Sequence, residues 1–168
     1  MAWSRVGIVV AVALLAVVPA ACSSDGGDLP TSDSAAPLGN VKTGQEIFAA
    51  NCTACHGISG EGQPDWHMKK PDGTLPAPPL NGDGHTWHHA DGLLYRIVSQ
   101  GGSIYEDPDY PGFKSAMPAF GDQLTQDEII AVITYVKSLW EGKVKLGIAI
   151  RESQALVSKE DPFPPQGN

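Results

Sequence analysis

Residues 52–56 read Cys-Thr-Ala-Cys-His, and the fold of the chain turns on what these five residues do. On a helix, two residues three apart lie about one turn from each other on the same face. Cys52 and Cys55 therefore present neighbouring thiols, with the imidazole of His56 beside them. Cys-x-x-Cys-His is the spacing of a c-type haem attachment site, in which the thiols bond two vinyl groups on one edge of the macrocycle and the histidine lies beneath the iron. Such an imidazole ligates through one ring nitrogen while the other donates a hydrogen bond that fixes the ring. Two other readings compete. A thioredoxin-like dithiol belongs in a βαβ setting, and no stretch of this chain alternates as strands do. Half of a zinc site asks for a second Cys or His pair; the one further cysteine is Cys22, and the remaining histidines are His67, His85, His88 and His89.

Outward from the motif, Gly44, Phe48 and Cys52 recur at steps of four, so a helix over residues 43–54 carries one face directly into the attachment site. A Gly/Pro-rich loop follows over residues 57–84. A second helix is predicted over residues 90–100, with Leu93, Leu94, Ile97 and Val98 as its apolar stripe and Gly101 as its stop. Thr125-Gln-Asp-Glu128 has the form of a capping box, opening a third helix with Ile129, Ile133, Val136 and Trp140 on one side and an end near Glu141-Gly142. Residues 145–158 suggest one more helix, anchored by Leu146, Ile150 and Leu156, before Pro162, Pro164 and Pro165 end regular structure. The expectation is all-α, with three main helices, long loops and no sheet.

Composition fits a chain folded round a large group. Gly and Pro together number 33 against 7% aromatic residues, which leaves little from which helices alone could build a core. The formal charge is −8; without residues 1–21, whose one charged side chain is Arg5, ten bases face nineteen acids. That balance excludes nucleic acid as a partner and suits an approach to basic proteins.

The amino terminus reads as an export signal over residues 1–21: Arg5, an apolar run over residues 6–18, then Ala20 and Ala21. Val18-Pro-Ala-Ala-Cys22 is similar to a bacterial lipoprotein signal, with Cys22 as the lipidated first residue of the mature chain. A plain signal with an incidental cysteine, or an uncleaved anchor helix, are the alternatives. Residues 22–40, rich in Ser, Asp, Gly and Pro, form a flexible tether, and residues 142–168 a carboxyl-terminal extension.

Iron held on both faces transfers electrons, whereas an open face binds small ligands. Met68 lies in the loop soon after the attachment motif, and Met117 precedes Pro118 just before the third helix. A loop crossing the opposite haem face returns from far along the chain, which favours Met117 over Met68. Gly84-His-Thr-Trp-His-His89 offers several imidazole donors for copper or a second haem. Capping, stacking on the haem or a hydrogen bond to a propionate accounts for these histidines more simply, and Trp87 reads as a wall of the haem pocket.

With these landmarks in this order, residues 41–141 resemble a monohaem class I c-type cytochrome. The resemblance implies the cytochrome c fold round one covalently bound haem c, with the first and last helices crossing at Gly44 and with Tyr135 and Trp140 as aromatic partners. Pro78-x-Leu80-x-Gly82 resembles the family loop in which the proline carbonyl accepts a hydrogen bond from the ligating histidine and the leucine packs on the haem; Pro79 leaves a register one residue later open. Met117-Pro-Ala-Phe120 resembles the motif of the second axial ligand, so that His56 and Met117 hold the iron. The implied function is electron transfer between membrane redox complexes, such as an oxidase or a quinol-oxidising complex. No small-molecule substrate is transformed, and the protein is held by lipid on the extracytoplasmic face of a bacterial cell membrane. Two alternatives stand beside this: a haem subunit bound permanently to an oxidase, dehydrogenase or copper-handling complex, and a haem enzyme or ligand sensor.

Overall fold

The structure is a computed structural model that describes residues 38–109 and 112–165, with the side chains of residues 38–40 left aside. The expected signal peptide and lipidated Cys22, and most of the tether, lie outside the described residues. All that is described here belongs to the compact unit formed by residues 34–168.

Helix α1 spans Leu38–Asn51 and continues after a break at Cys52 as the single turn α2, Thr53–His56. The helix starts earlier than the stripe of Gly44 and Phe48 suggested, because Val41, one turn before Gly44, also packs on the core. Helix α3 spans Asp91–Gln100 and α4 spans Gln126–Ser138. The capping box forms as its spacing predicts: the Glu128 backbone N–H donates to Thr125 Oγ1 at 3.3 Å, and the Thr125 N–H donates to Glu128 Oε2 at 2.8 Å. Trp140 lies just past the end of α4 and is wholly buried.

Helices α1 and α4 cross at Gly44. A Cβ there would collide with the Ala131 carbonyl and lie 2.9 Å from Tyr135 Cβ, so the close approach needs a residue without a side chain. Beside the crossing, Phe48 and Tyr135 stack at a tilt with ring centroids 5.2 Å apart. Phe48, Ile129, Val132, Ile133, Val136 and Trp140 form the centre of the core, to which α3 adds Leu94.

The carboxyl-terminal segment differs from its expected form. Val144–Lys145 (β1) pairs antiparallel with Ile148–Ala149 (β2), and only then does helix α5, Ile150–Ser158, begin. The sheet absent from the sequence reading is this short hairpin, four paired residues being too few to register as alternation. Its turn places Leu146 and Gly147 at φ of 53° and 77°, the left-handed pair that a two-residue hairpin loop requires; for a leucine this costs on the order of 1–2 kcal/mol. Of the three expected anchors, Ile150 is wholly buried, whereas Leu156 is exposed and Leu146 is completely so. Leu146 precedes the helix, so the step of four from Leu146 to Ile150 is not a helical one.

The inward partner of Ile150 on α5 is instead Gln154, 1% exposed. Its Nε2 lies 2.7 Å from Asp91 Oδ1 and 2.7 Å from Ser158 Oγ. Lys137 Nζ donates to both Asp91 oxygens at 2.7 and 2.8 Å, and the Asp91 N–H donates to Ser158 Oγ at 3.1 Å. Farther on, Arg96 grips Asp161 through two bonds of 3.0 and 2.7 Å, the Gly92 N–H donates to the Asp161 carbonyl at 2.8 Å, and Phe163 packs on the core. The extension thus straps α3 to α4.

Candidate haem attachment site

The break after α1 is a property of Cys52, whose φ of −112° turns the chain while its N–H still donates to the Phe48 carbonyl at 2.9 Å and its carbonyl accepts from the His56 N–H at 2.9 Å. Helical spacing across α2 is thereby kept. Cys52 is half-buried and Cys55 exposed, and no disulfide joins them. Burial, followed by the neighbouring Cys55, pushes the Cys52 thiol up to about 11. The βαβ setting of a thioredoxin-like dithiol is absent among the described residues, where Cys52 joins α1 to α2 and Cys55 lies in α2.

His56 is buried, and its Nδ1 lies 2.9 Å from the Pro78 carbonyl oxygen. A carbonyl only accepts, so Nδ1 carries the proton. Burial holds the imidazole below the ordinary histidine pKa, against the opposing pull of the Pro78 carbonyl, and the ring is the neutral Nδ1–H tautomer at neutral pH. Nε2 then bears the free lone pair, with no hydrogen bond to it from any described residue. The partner is Pro78 and not Pro79, whose carbonyl accepts from Thr86 Oγ1 at 3.4 Å.

What places Pro78 over His56 is a glycine clasp that the sequence reading missed. The Gly62 N–H donates to the His56 carbonyl at 2.7 Å, and the Leu80 and Asn81 N–H groups both donate to the Gly60 carbonyl, at 2.7 and 3.0 Å. At φ 73°, Gly62 lies so close that a Cβ would strike the backbone of residues 77–79. The recurrence of Gly57, Gly60 and Gly62 directly after the motif is the signal that marks it. From the other side, Trp140 Nε1 donates to the Leu80 carbonyl at 2.6 Å, and the Leu80 side chain packs on the core. His56, Pro78 and Leu80 are thus brought together by one backbone unit tied to the end of α4.

Met117 is organised separately. Its carbonyl accepts from the Gly102 N–H at 3.1 Å, its own N–H donates to Ser115 Oγ at 3.2 Å, and the Phe120 and Gly121 N–H groups bond the last carbonyls of α3. A Cβ on Gly101 (φ 86°) would lie 3.0 Å from the Met117 carbonyl oxygen, so Gly101 both ends α3 and admits this loop. Met117 is half-buried, whereas Met68 is 59% exposed. The insert before Pro78 also reaches this loop, with the Leu75 N–H donating to the Lys114 carbonyl at 3.3 Å.

In the histidine-rich turn, Trp87 is buried in the core cluster and stacks on His88 at 3.7 Å. Trp66 stacks on His85 at 5.6 Å, and His85 meets His89 edge-on at 5.3 Å. Burial first, then neighbouring imidazoles, lowers the pKa of both His85 and His89. Among the described residues no three His, Cys, Asp or Glu side chains converge to hold a metal ion.

Two unbridged thiols one turn apart, followed by an imidazole with one nitrogen committed and the other open, are a donor set that fits covalently attached haem. Residues 41–140 match the family model described as Cytochrome c. The chain belongs to the cytochrome c family. Membership makes it a carrier of covalently bound haem c with its iron, and makes its chemistry haem-based electron transfer. Cytochrome c6 of Porphyra purpurea is 33% identical over 100 residues, 59% of this chain and 71% of that protein. Cytochrome c6 of Diacronema lutheri is 28% identical over 104 residues, 60% of this chain and 96% of that protein. The Cbb3-type cytochrome c oxidase subunit FixP of Sinorhizobium medicae is 30% identical over 99 residues, 59% of this chain, and the match spans only 30% of that protein. Among solved structures, cytochrome CL from the marine methylotroph Methylophaga aminisulfidivorans aligns at a TM-score of 0.41 with 23% identity, covering 62% of this chain and 58% of that one.

Proposed function

We propose that this cytochrome c is a single-haem carrier that passes one electron at a time between larger redox proteins. The observation that supports it above all is the His56 Nδ1–H bond to Pro78, which leaves Nε2 as the one basic nitrogen of a buried ring directly after two free thiols. In this reading Cys52 and Cys55 would form the thioether links, and His56 Nε2 and the Met117 thioether would hold the iron. Pro78 sets the angle of the imidazole, and Leu80 covers the haem with apolar surface. The haem, when bound, supplies a one-electron iron couple whose potential a His/Met pair raises. The chain's part is to keep both ligands in place and water out, so that little reorganises when the charge changes. No bond of a substrate is made or broken, and the protein is not an enzyme.

Residues 1–21 are removed on export in this proposal, Cys22 takes up lipid, and the tether leaves the haem domain free at the extracytoplasmic face of the bacterial membrane. None of the described helices is long and apolar enough to cross that membrane. An oxidase or a quinol-oxidising complex is the class of partner proposed, met through a brief, salt-sensitive contact. A second reading, a haem subunit held permanently in an oxidase, is favoured by one observation, the match to an oxidase subunit.

Spectra and sedimentation of the detergent-extracted holoprotein test the proposal together. A sharp ferrous α-band, a weak sulfur-to-iron band in the oxidised form, slow reaction with carbon monoxide and a monomeric mass are expected. A stable complex with oxidase subunits would select the second reading, and rapid carbon monoxide binding would overturn the carrier.

A further inference from the structure

The β1–β2 hairpin is built unlike the rest of the surface. Val144, Leu146 and Ile148 are 60%, 100% and 56% exposed, three aliphatic side chains within five residues that the core does not use. Leu146 occupies a left-handed turn position, at φ 53°, that Asn, Asp or Gly fill without strain. Neither stability nor solubility accounts for a bare leucine there. The turn itself is open to solvent: a Cβ at Gly147 would meet no atom within 4 Å.

The hairpin carries one base that no acid of the described residues pairs, in an otherwise acidic chain. Residues 141–152 hold Lys143, Lys145 and Arg151 against Glu141 and Glu152, although the whole chain carries −8. Among the described residues Lys145 Nζ bonds only carbonyl oxygens, those of Asp83 at 3.0 Å and Gly84 at 3.5 Å, and no described carboxylate pairs with it. Lys143 lies 3.4 Å from Asp83, and Arg151 pairs with Glu141 at 2.9 Å.

We infer that this hairpin is a membrane-surface anchor, with Leu146 at its tip and Val144 and Ile148 on its two faces entering the headgroup boundary of an anionic bilayer and Lys145 meeting its phosphates. An exposed apolar tip beside one unpaired ammonium suits interfacial binding, because burial of the aliphatic groups and attraction of the cation act together while the long lysine stem lets its charge stay in the headgroups. An exposed apolar turn suits a deformable lipid surface, whereas a protein partner would need a socket shaped for it. The acidic remainder is repelled by the same surface, so the contact holds the domain in one orientation. Residues 143–151 alone supply it, and Cys22 need not carry lipid.

The test uses the haem-loaded chain with Cys22→Ser behind a conventional cleavable export signal, mixed with vesicles of phosphatidylcholine alone or with phosphatidylglycerol added. The protein should float with phosphatidylglycerol vesicles, and release should follow added salt. Leu146→Asp should weaken that association at least tenfold with haem spectrum and thermal midpoint unchanged, since Leu146 is fully exposed and Asp tolerates its backbone angle. Failure to float with either vesicle, or equal flotation of Leu146→Asp, would overturn the inference. So would a defect of Leu146→Asp seen only in binding a purified oxidase, which would make the hairpin a protein-docking surface. With the lipid-bearing cysteine removed, the outcome is independent of whether Cys22 is modified.

Discussion

Gly62 and Pro78 are locked back to back: the glycine N–H holds the His56 carbonyl at 2.7 Å, while its missing side chain lets the Pro78 carbonyl reach His56 Nδ1 at 2.9 Å. Gly62→Ala would force a Cβ into the backbone of residues 77–79 and strain a positive φ, costing about 2 kcal/mol or more. Haem should remain attached. The His56 Nδ1–H resonance should broaden or exchange faster, and the potential should shift as the imidazole loses its acceptor. An unchanged resonance would mean that the clasp does not orient the ring.

Met117→Ala leaves Cys52, Cys55 and His56 untouched. The variant should keep covalent haem, lose the sulfur-to-iron band, bind carbon monoxide rapidly and drop in potential by on the order of 0.1–0.3 V, within the range of about 0.8 V that axial ligands control. Potentiometry that returns the native value would assign the ligand elsewhere.

Gly44→Leu touches no proposed ligand. Its side chain would strike Ala131 and Tyr135 where α1 crosses α4, and equilibrium unfolding in denaturant should register a loss of about 3 kcal/mol. A midpoint within error of the native protein would show that the crossing relaxes freely.

Lys137→Met strands Asp91 against Gln154 in a pair whose side chains are only 18% and 12% exposed. The expected loss is about 3 kcal/mol, the low end for breaking a buried ion pair. Adding Asp91→Asn should recover part of it in a double-mutant cycle.

The strap responds to acid in one direction. The two hydrogen bonds from Arg96 hold the Asp161 carboxyl below its ordinary pKa, so its contribution is complete above about pH 4, the value of the free residue, and is lost as pH falls through the lower native value. Protection of the Gly92 amide, bonded to the Asp161 carbonyl, should stay level from neutral pH down to about 5 and decline below about 4. Asp161→Asn should abolish that acid step.

What was legible in the sequence was local. The α4 capping box and most of the apolar stripes of α3 and α4 depend on spacings within one element, and the structure forms them. On α3, however, Tyr95 and not Leu93 joins Leu94, Ile97 and Val98 at the core, and Trp140 lies just past α4. The hairpin escaped because so short a ladder has no period to detect. Gln154 escaped because its burial is decided by Asp91, 63 residues away in sequence. The same holds for the site: His56 announces itself through two cysteines, but the choice of the Pro78 carbonyl over that of Pro79 is made by Gly60 and Gly62 folding back on residues 77–81.

Both ends of the described chain close on α4, α1 from one side and the tail from the other. A polypeptide that emerges amino end first therefore displays Cys52, Cys55 and His56 well before α4, on which α1 packs, exists. In the proposed reading the thiols are open during that interval to whatever joins them to porphyrin. Order of synthesis would then separate a stage for modification from the stage at which α1 docks, and a circular permutant that delivers α4 first should be assembled with less pigment.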